Sequence, residues 1–189
     1  QDSNVVLDPT TQTVATVWEN IGGIDYTGVD MELQWIVSEN LEIFATAGWL
    51  DAEYDGFLSH NFVPVDQQAT TPKQNVDFLT PKRAPETTFG FGGTYTAQVG
   101  PGELALHMKW NFIDDLETST YNTPGTDADA VDYLNVTASY SWEKWKVSVY
   151  GNNLGDEQLE VPQFLVLPFF AWSSVTPGRQ YAAEIEYVF

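Results

Sequence analysis

The sequence predicts an all-β fold: an antiparallel transmembrane β-barrel segment of about seven strands, open or incomplete as a barrel. Three observations lead there. Period-two alternation of apolar and polar residues recurs between nearly every pair of turn signals. The connections alternate between short and long, and aromatic residues, 14% of the chain, cluster beside them. The closing segment, Gly178 to Phe189, sets Tyr181, Ala183, Ile185, Tyr187 and Phe189 against Gln180, Ala182, Glu184 and Glu186. A soluble sandwich also alternates, but it turns its apolar face into a core. A membrane barrel turns that face to lipid and keeps a wet interior.

Taken in order, the first long strand places Val29, Met31, Leu33, Trp35 and Val37 opposite Asp30, Glu32, Gln34 and Ile36. After a turn at Ser38-Glu39-Asn40, Leu41, Ile43, Ala45, Ala47 and Trp49 alternate with Glu42, Phe44, Thr46 and Gly48. The third strand sets Thr87, Phe89, Phe91, Gly93 and Tyr95 against Thr88, Gly90, Gly92 and Thr94. Its glycines open no helix and so make a poor phosphate cradle; small residues inside a strand relieve crowding or accommodate a bend. Beyond Val99-Gly100-Pro101-Gly102, Leu104, Leu106, Met108, Trp110 and Phe112 face away from Ala105, His107, Lys109 and Asn111. Leu134, Val136, Ala138, Tyr140 and Trp142 oppose Asn135, Thr137, Ser139 and Ser141, and a tight turn at Glu143-Lys144 leads to Trp145, Val147 and Val149. With the closing segment, each strand is near the roughly 9–11 residues that a tilted strand needs to cross a bilayer.

Short turns at 38–40, 99–102 and 143–144 are separated by long connections at 51–85, 114–132 and 155–177. Outer-membrane barrels sort their loops this way, with tight periplasmic turns and long extracellular loops. Trp35, Trp142 and Trp145 lie near the short turns, and Trp49, Tyr54, Trp110 and Phe112 near the long loops, where two interfacial girdles are expected.

Composition removes whole classes of function. With 27 acidic against 7 basic residues and a formal charge of -20, the chain repels phosphate backbones, so no nucleic acid is expected as a partner. It has no cysteine, which removes disulfides, thiolate metal sites and thiol catalysis within it. Its longest apolar stretch, Phe164 to Trp172, is interrupted by Pro168 and falls far short of the roughly 20 residues of a spanning helix. Any crossing of a membrane is therefore made by strands. Gln1-Asp2-Ser3-Asn4 has neither a basic nor an apolar leader region, so an export signal is expected outside this sequence.

Several stations in order resemble a known family. Asn20, Gly22 or Gly23, Tyr26 and Gly28-Val29-Asp30 match a long strand with an Asn-x-Gly and Gly-x-Glu pattern, Asp30 standing where Glu is usual. Gly48-Trp49-Leu50-Asp51-Ala52-Glu53-Tyr54, Ala84-Pro85-Glu86, Asn153-Leu154-Gly155-Asp156 and Pro177-Gly178-Arg179 follow, with the strand ending in Phe189. From about Val14 to Phe189 this resembles the C-terminal part of the barrel of a TonB-dependent receptor of the bacterial outer membrane. The resemblance implies that residues 1–189 are a late barrel portion, with the plug domain and earlier strands absent, and that residues before Val14 are the tail of a loop.

The same resemblance implies an active-transport receptor for a scarce nutrient such as a ferric siderophore, energised through TonB, and not an enzyme. Ile185, Tyr187 and Phe189 are the candidate signal to the barrel-assembly machinery, because a terminal strand with apolar outward positions offers a free edge to pair with. His107, Lys109, Asn111, Lys146, Glu184 and Glu186 are candidates for the lumen lining. Phe169, Phe170 and Trp172 are ligand-loop candidates. No cofactor or resident metal is expected. Acidic pairs such as Asp114-Asp115, Asp51 with Glu53, and Asp127 with Asp129 and Asp132 read as solvated loop charge rather than as catalytic carboxylates or a calcium loop. Expected partners are outer-membrane lipid and lipopolysaccharide, TonB through a region N-terminal to this chain, and a small-molecule or metal-chelate ligand. Two alternatives stay open. A small self-contained barrel requires a strand within Gln1 to Asn20 that pairs with the last one; a soluble lipocalin-like binder requires Trp35, Trp110, Val136, Tyr140 and Ile185 to point into a packed core.

Overall fold

The computed structural model describes residues 2–7, 14–20, 22–60, 62–64, 67, 70–166 and 170–189. No α-helix occurs among them. The chain begins with β1 (Asp2–Leu7) and β2 (Val14–Glu19), then the long pair β3 (Gly23–Ser38) and β4 (Leu41–Asp55). Two-residue strands β5 (Leu58–Ser59) and β6 (Gln74–Asn75) lie in the next connection, before β7 (Thr87–Val99) and β8 (Gly102–Ile113). Short β9 (Leu116–Glu117) and β10 (Asp127–Ala128) precede β11 (Val131–Trp142) and β12 (Trp145–Asn152). A hairpin of β13 (Glu160–Val166) and β14 (Phe170–Val175) leads into β15 (Gln180–Tyr187).

Seven of these strands form one antiparallel sheet in the order β15-β12-β11-β8-β7-β4-β3. Each strand pairs with its sequence neighbours among the seven, the arrangement that short hairpin turns permit and parallel strands do not. The sheet is not closed: β3 and β15 are each paired on one side only. Asp2–Leu7, expected from the sequence to be the tail of a loop, is a strand that pairs with β2 along its whole length, in a two-stranded sheet apart from the seven. It does not pair with β15, which removes the condition on which a small self-contained barrel rested.

The turns follow local chemistry. In the turn after β7, Gly100 takes φ 59°, a left-handed conformation that glycine enters without steric cost. Glu143 adopts φ 50° in the two-residue turn before β12, a costlier choice for a residue with a Cβ. At the turn after β3, Asn40 ties the β3–β4 turn to β7, its Nδ2 donating to the Thr96 carbonyl at 2.7 Å while its own carbonyl accepts the Thr96 N–H.

The hydrophobic core does not lie under the sheet. Among the described residues the buried apolar side chains include Tyr54, Phe57, Val63, Val76, Leu79, Pro81, Ala128 and Val131, all in or beside the long connections. Apolar residues stay open even on interior strands of the sheet, Phe91 of β7 at 43% and Met108 of β8 at 38% exposure. Trp35, likewise exposed, does not enter a packed core either, and no second layer covers this face among the described residues. That arrangement departs from a soluble sandwich, in which the inner faces of two sheets bury each other.

Candidate functional site

Cross-strand register assembles the apolar positions into one continuous face. Leu33 stands opposite Ala45, Ala45 opposite Phe91, Phe91 opposite Trp110 and Trp110 opposite Leu134. Two positions nearer the short turns on the same face, Leu106 pairs with Ala138, Ala138 with Val149 and Val149 with Ala183. Because side chains alternate at period two, the intervening residues all project from the other face. The apolar face ends in aromatics on both sides. Toward the short turns Tyr140, Trp142, Trp145, Tyr187 and Phe189 form a chain of ring contacts with centroids 4.6–6.5 Å apart. Toward the long connections the indole N–H of Trp110 donates to Asp132 at 2.7 Å and that of Trp49 to Glu86 at 3.3 Å.

Beyond Trp49 the two faces of the β3–β4 hairpin exchange character. On the side that carried Val29 and Trp49, the next pairs are Thr27 with Asp51 and Asp25 with Glu53. On the opposite side the pairs become Gly28 with Leu50, Tyr26 with Ala52 and Ile24 with Tyr54. An outward face that is apolar over four alternate positions and then carboxylate fits hydrocarbon bounded by water. Tyr54 therefore does not join the outer girdle. It is 6% exposed and packs on Phe57 at 4.8 Å between ring centroids, on the face that the loops cover.

Those loops form a folded cap. Tyr54, Phe57, Val76 and Leu79 cluster, and Tyr121 from the next connection packs against them. Asn122 reaches across to the 56–86 connection, its Oδ1 accepting the Thr80 N–H at 2.7 Å and its Nδ2 donating to the Thr80 carbonyl at 2.9 Å. Lys82 Nζ donates to Thr120 Oγ1 at 2.8 Å, and the Arg83 N–H to the Glu117 carbonyl at 2.8 Å. Asp77 accepts the Phe57 N–H at 2.6 Å and an Asn75 amide hydrogen at 2.7 Å. The Asn75 bond first, then that of Phe57, holds its carboxyl below the ordinary range. Glu117 is the opposite case: burial, then the charges of Asp127 and Asp115, push its carboxyl up, and its Oε2 is buried without a hydrogen-bond partner.

A second constellation ties the last connection down. Asn153 is 6% exposed at φ 51°; its Oδ1 accepts the Glu157 N–H, and its Nδ2 donates to the carbonyls of Glu157 and Pro177. Asp156 Oδ1 accepts the Arg179 N–H at 2.7 Å, which first among several causes lowers the Asp156 carboxyl below its usual value. The stations quoted from the sequence as Asn153 to Asp156 and Pro177 to Arg179 thus meet in one clasp between β12 and β15.

On the polar face of the sheet, His107, Lys109, Asn111, Lys146, Glu184 and Glu186 all occupy positions opposite to the apolar ones. His107 Nδ1 lies 3.0 Å from Thr94 Oγ1 and its ring stacks on Phe44 at 6.4 Å. Phe44 in turn lies over Gly92, where any Cβ would collide with the ring. Glu184 accepts the Tyr150 hydroxyl at 2.8 Å. Lys146 stands opposite Glu186 in the register. At the edge strand Ile185 and Tyr187 are exposed, and Phe189, beyond the end of β15, is fully so. Among the ligand-loop candidates Trp172 is exposed on β14; Phe169 lies outside the described residues, and Phe170 begins β14.

No group of three or more His, Cys, Asp or Glu side chains that could hold a metal ion occurs among the described residues. A polar cavity of about 490 Å³ does lie between the two later connections, walled by Asp127, Asp129, Glu157 and Glu160. The sequence reading missed the cap residues Phe57, Val76, Leu79, Tyr121 and Asn122. Their signal was faint: a few apolar positions scattered through polar loops, with no period to join them.

Comparison with known proteins agrees with this geometry. The family model for the TonB dependent receptor-like β-barrel matches residues 1–154. The crystal structure of the ferric yersiniabactin uptake receptor FyuA from Yersinia pestis superposes with TM-score 0.73 at 16% identity, over 94% of this chain and 25% of that one. The crystal structure of BauA, the ferric preacinetobactin receptor from Acinetobacter baumannii, superposes with TM-score 0.61 at 17% identity, over 98% of this chain and 25% of that one. The chain spans a quarter of the length of each. No curated protein gives a significant match to the sequence.

Proposed function

This chain belongs to the TonB-dependent receptor β-barrel family, and from that premise we propose that it is a barrel portion of an outer-membrane receptor that takes up a scarce nutrient such as a ferric siderophore. The observation that carries the reading is the exchange of faces beyond Trp49: an apolar band for lipid, then carboxylates outward, with the loop cap on the side of the polar wall. In this reading the bacterial outer membrane surrounds the band and the short turns face the periplasm. The capped long loops capture ligand, and His107, Lys109, Asn111, Lys146, Glu184 and Glu186 line the passage. Energy is delivered by TonB to a region of the receptor outside this chain. Ile185, Tyr187 and Phe189 present the edge that the assembly machinery pairs with before the barrel closes.

The role asks for binding and passage, with no covalent chemistry. The acidic cavity walled by Asp127, Asp129, Glu157 and Glu160 favours a neutral or cationic chelate over a strongly anionic one. The ferric siderophore class is supported by the printed names of the two receptors, each described as acting on a ferric chelate. The test is uptake by iron-starved cells of radio-iron loaded on hydroxamate, catecholate and mixed-donor chelates, with cobalamin as a comparison. Loss of uptake of one chelate on deleting the receptor, and equally on deleting the energy-coupling protein, is the expected result. Unchanged uptake of every chelate would overturn the proposal.

A further inference from the structure

The apolar face is not smooth. Around Gly93, the one outward position on the middle of β7 without a side chain, Ile43, Phe91, Tyr95, Leu106, Met108 and Val136 stand up to enclose a trough of about 400 Å³. All its walls come from β4, β7, β8 and β11, interior strands of the sheet, so its shape does not depend on the open edges. Glycine is required at its floor: a Cβ at Gly93 would come within 2.7 Å of the Glu42 carbonyl oxygen and 3.2 Å of Ile43 Cγ2. A depression that nothing occupies forfeits the dispersion contacts of its lining, and here there is no side chain to fill it.

We propose that this trough is a fixed binding site for one acyl chain of a zwitterionic phospholipid in the leaflet nearer the short turns. Depth and charge identify the occupant. The trough lies within the band bounded by the aromatic ends of the face, where the surroundings are hydrocarbon, and it is continuous with that lipid-facing surface. Its end nearest the short turns is formed by Leu41, the residue after the turn at Glu39–Asn40, and by Tyr95 opposite it, which places the trough in the leaflet on that side. With 27 acidic against 7 basic residues and a formal charge of -20, the chain favours a zwitterionic headgroup over an anionic one. The Phe91 and Tyr95 rings hold the chain from the sides. The Met108 side chain, flexible and polarizable, adapts to it.

The test uses the receptor extracted from outer membranes in mild detergent, with its bound lipid counted by native mass spectrometry and its contact lipid followed with spin-labelled phosphatidylethanolamine. Val136→Phe and Met108→Phe each fill the trough, whereas Val149→Phe, outward on β12 and away from it, serves as the control. Heat-modifiable mobility on gels reports folding, and the second filling variant stands in if the first does not insert. The unsubstituted protein is expected to retain one phospholipid and to show an immobilised spin-label component. Filling variants are expected to lose that occupancy at least tenfold, and the control to keep it. Equal occupancy in all variants, no immobilised component in the unsubstituted protein, or a retained lipid that proves to be lipopolysaccharide would each overturn the assignment.

Discussion

Placing one arginine at three positions tests the sidedness of the sheet. Val136 and Thr137 are neighbours at the middle of β11, yet they project from opposite faces, Val136 opposite Met108 and Gly151, Thr137 opposite His107 and Tyr150. Arginine on a lipid face near the bilayer midplane costs about 2–4 kcal/mol. At about 1.4 kcal/mol per factor of ten, Val136→Arg should lower the folding equilibrium by about 30- to 700-fold. Thr137→Arg, on the polar face, should stay within about 0.5 kcal/mol of the unsubstituted protein. Thr27→Arg supplies the control for depth: it shares the face of Val29 but lies beyond Trp49, opposite Asp51. There an arginine meets water and a carboxylate, and an exposed pair of that kind adds about 0–1 kcal/mol. The assay is denaturant-driven unfolding of the protein in phospholipid vesicles, followed by tryptophan fluorescence. Equal costs at 136 and 137 would refute the sidedness, and a cost at 27 as large as at 136 would refute the position of the membrane boundary.

Phe57→Ala, which empties a side chain with 0% exposure, should cost about 3–5 kcal/mol, confined to the cap. Hydrogen exchange should speed in residues 56–86 and 114–126 while β11 stays protected; uniform acceleration would mean that cap and sheet unfold together. Asn153→Ala strands the Glu157 N–H and two carbonyls, a loss of about 1–3 kcal/mol that should appear as protease cutting between β12 and β15. Because the Glu117 carboxyl is raised in the folded state, its contribution is fully present below the ordinary glutamate value and is lost as pH rises through the folded one. Exchange at the β9–β10 pairing, corrected for the intrinsic rate, should therefore be slowest in acid and faster at neutral pH, and Glu117→Gln should abolish that dependence. A variant that keeps the wild-type pH dependence would assign it elsewhere.

The seven-stranded order, the sorting of short turns and long connections, and the residues that share the apolar face were legible in the sequence. Each rests on a local rule: alternation at period two decides which face Leu106 and His107 share, and a two-residue turn such as Glu143-Lys144 forces its flanking strands to pair. The clasp was half legible, since Asn153 to Asp156 and Pro177 to Arg179 were visible as stations but not as partners. Tertiary structure alone decided the rest. Tyr54 shares the side of Phe44 and Thr46 rather than that of Trp49, and lies in the cap because beyond Trp49 apolar side chains find cover only on the loop side. The bonds between Thr80 and Asn122 join residues 42 positions apart, and no periodicity within either loop announces the other. The trough at Gly93 exists because four strands stand in one register, which places large side chains around a position that has none. Sequence determines what is periodic and local, and packing between distant segments decides where the irregular residues go.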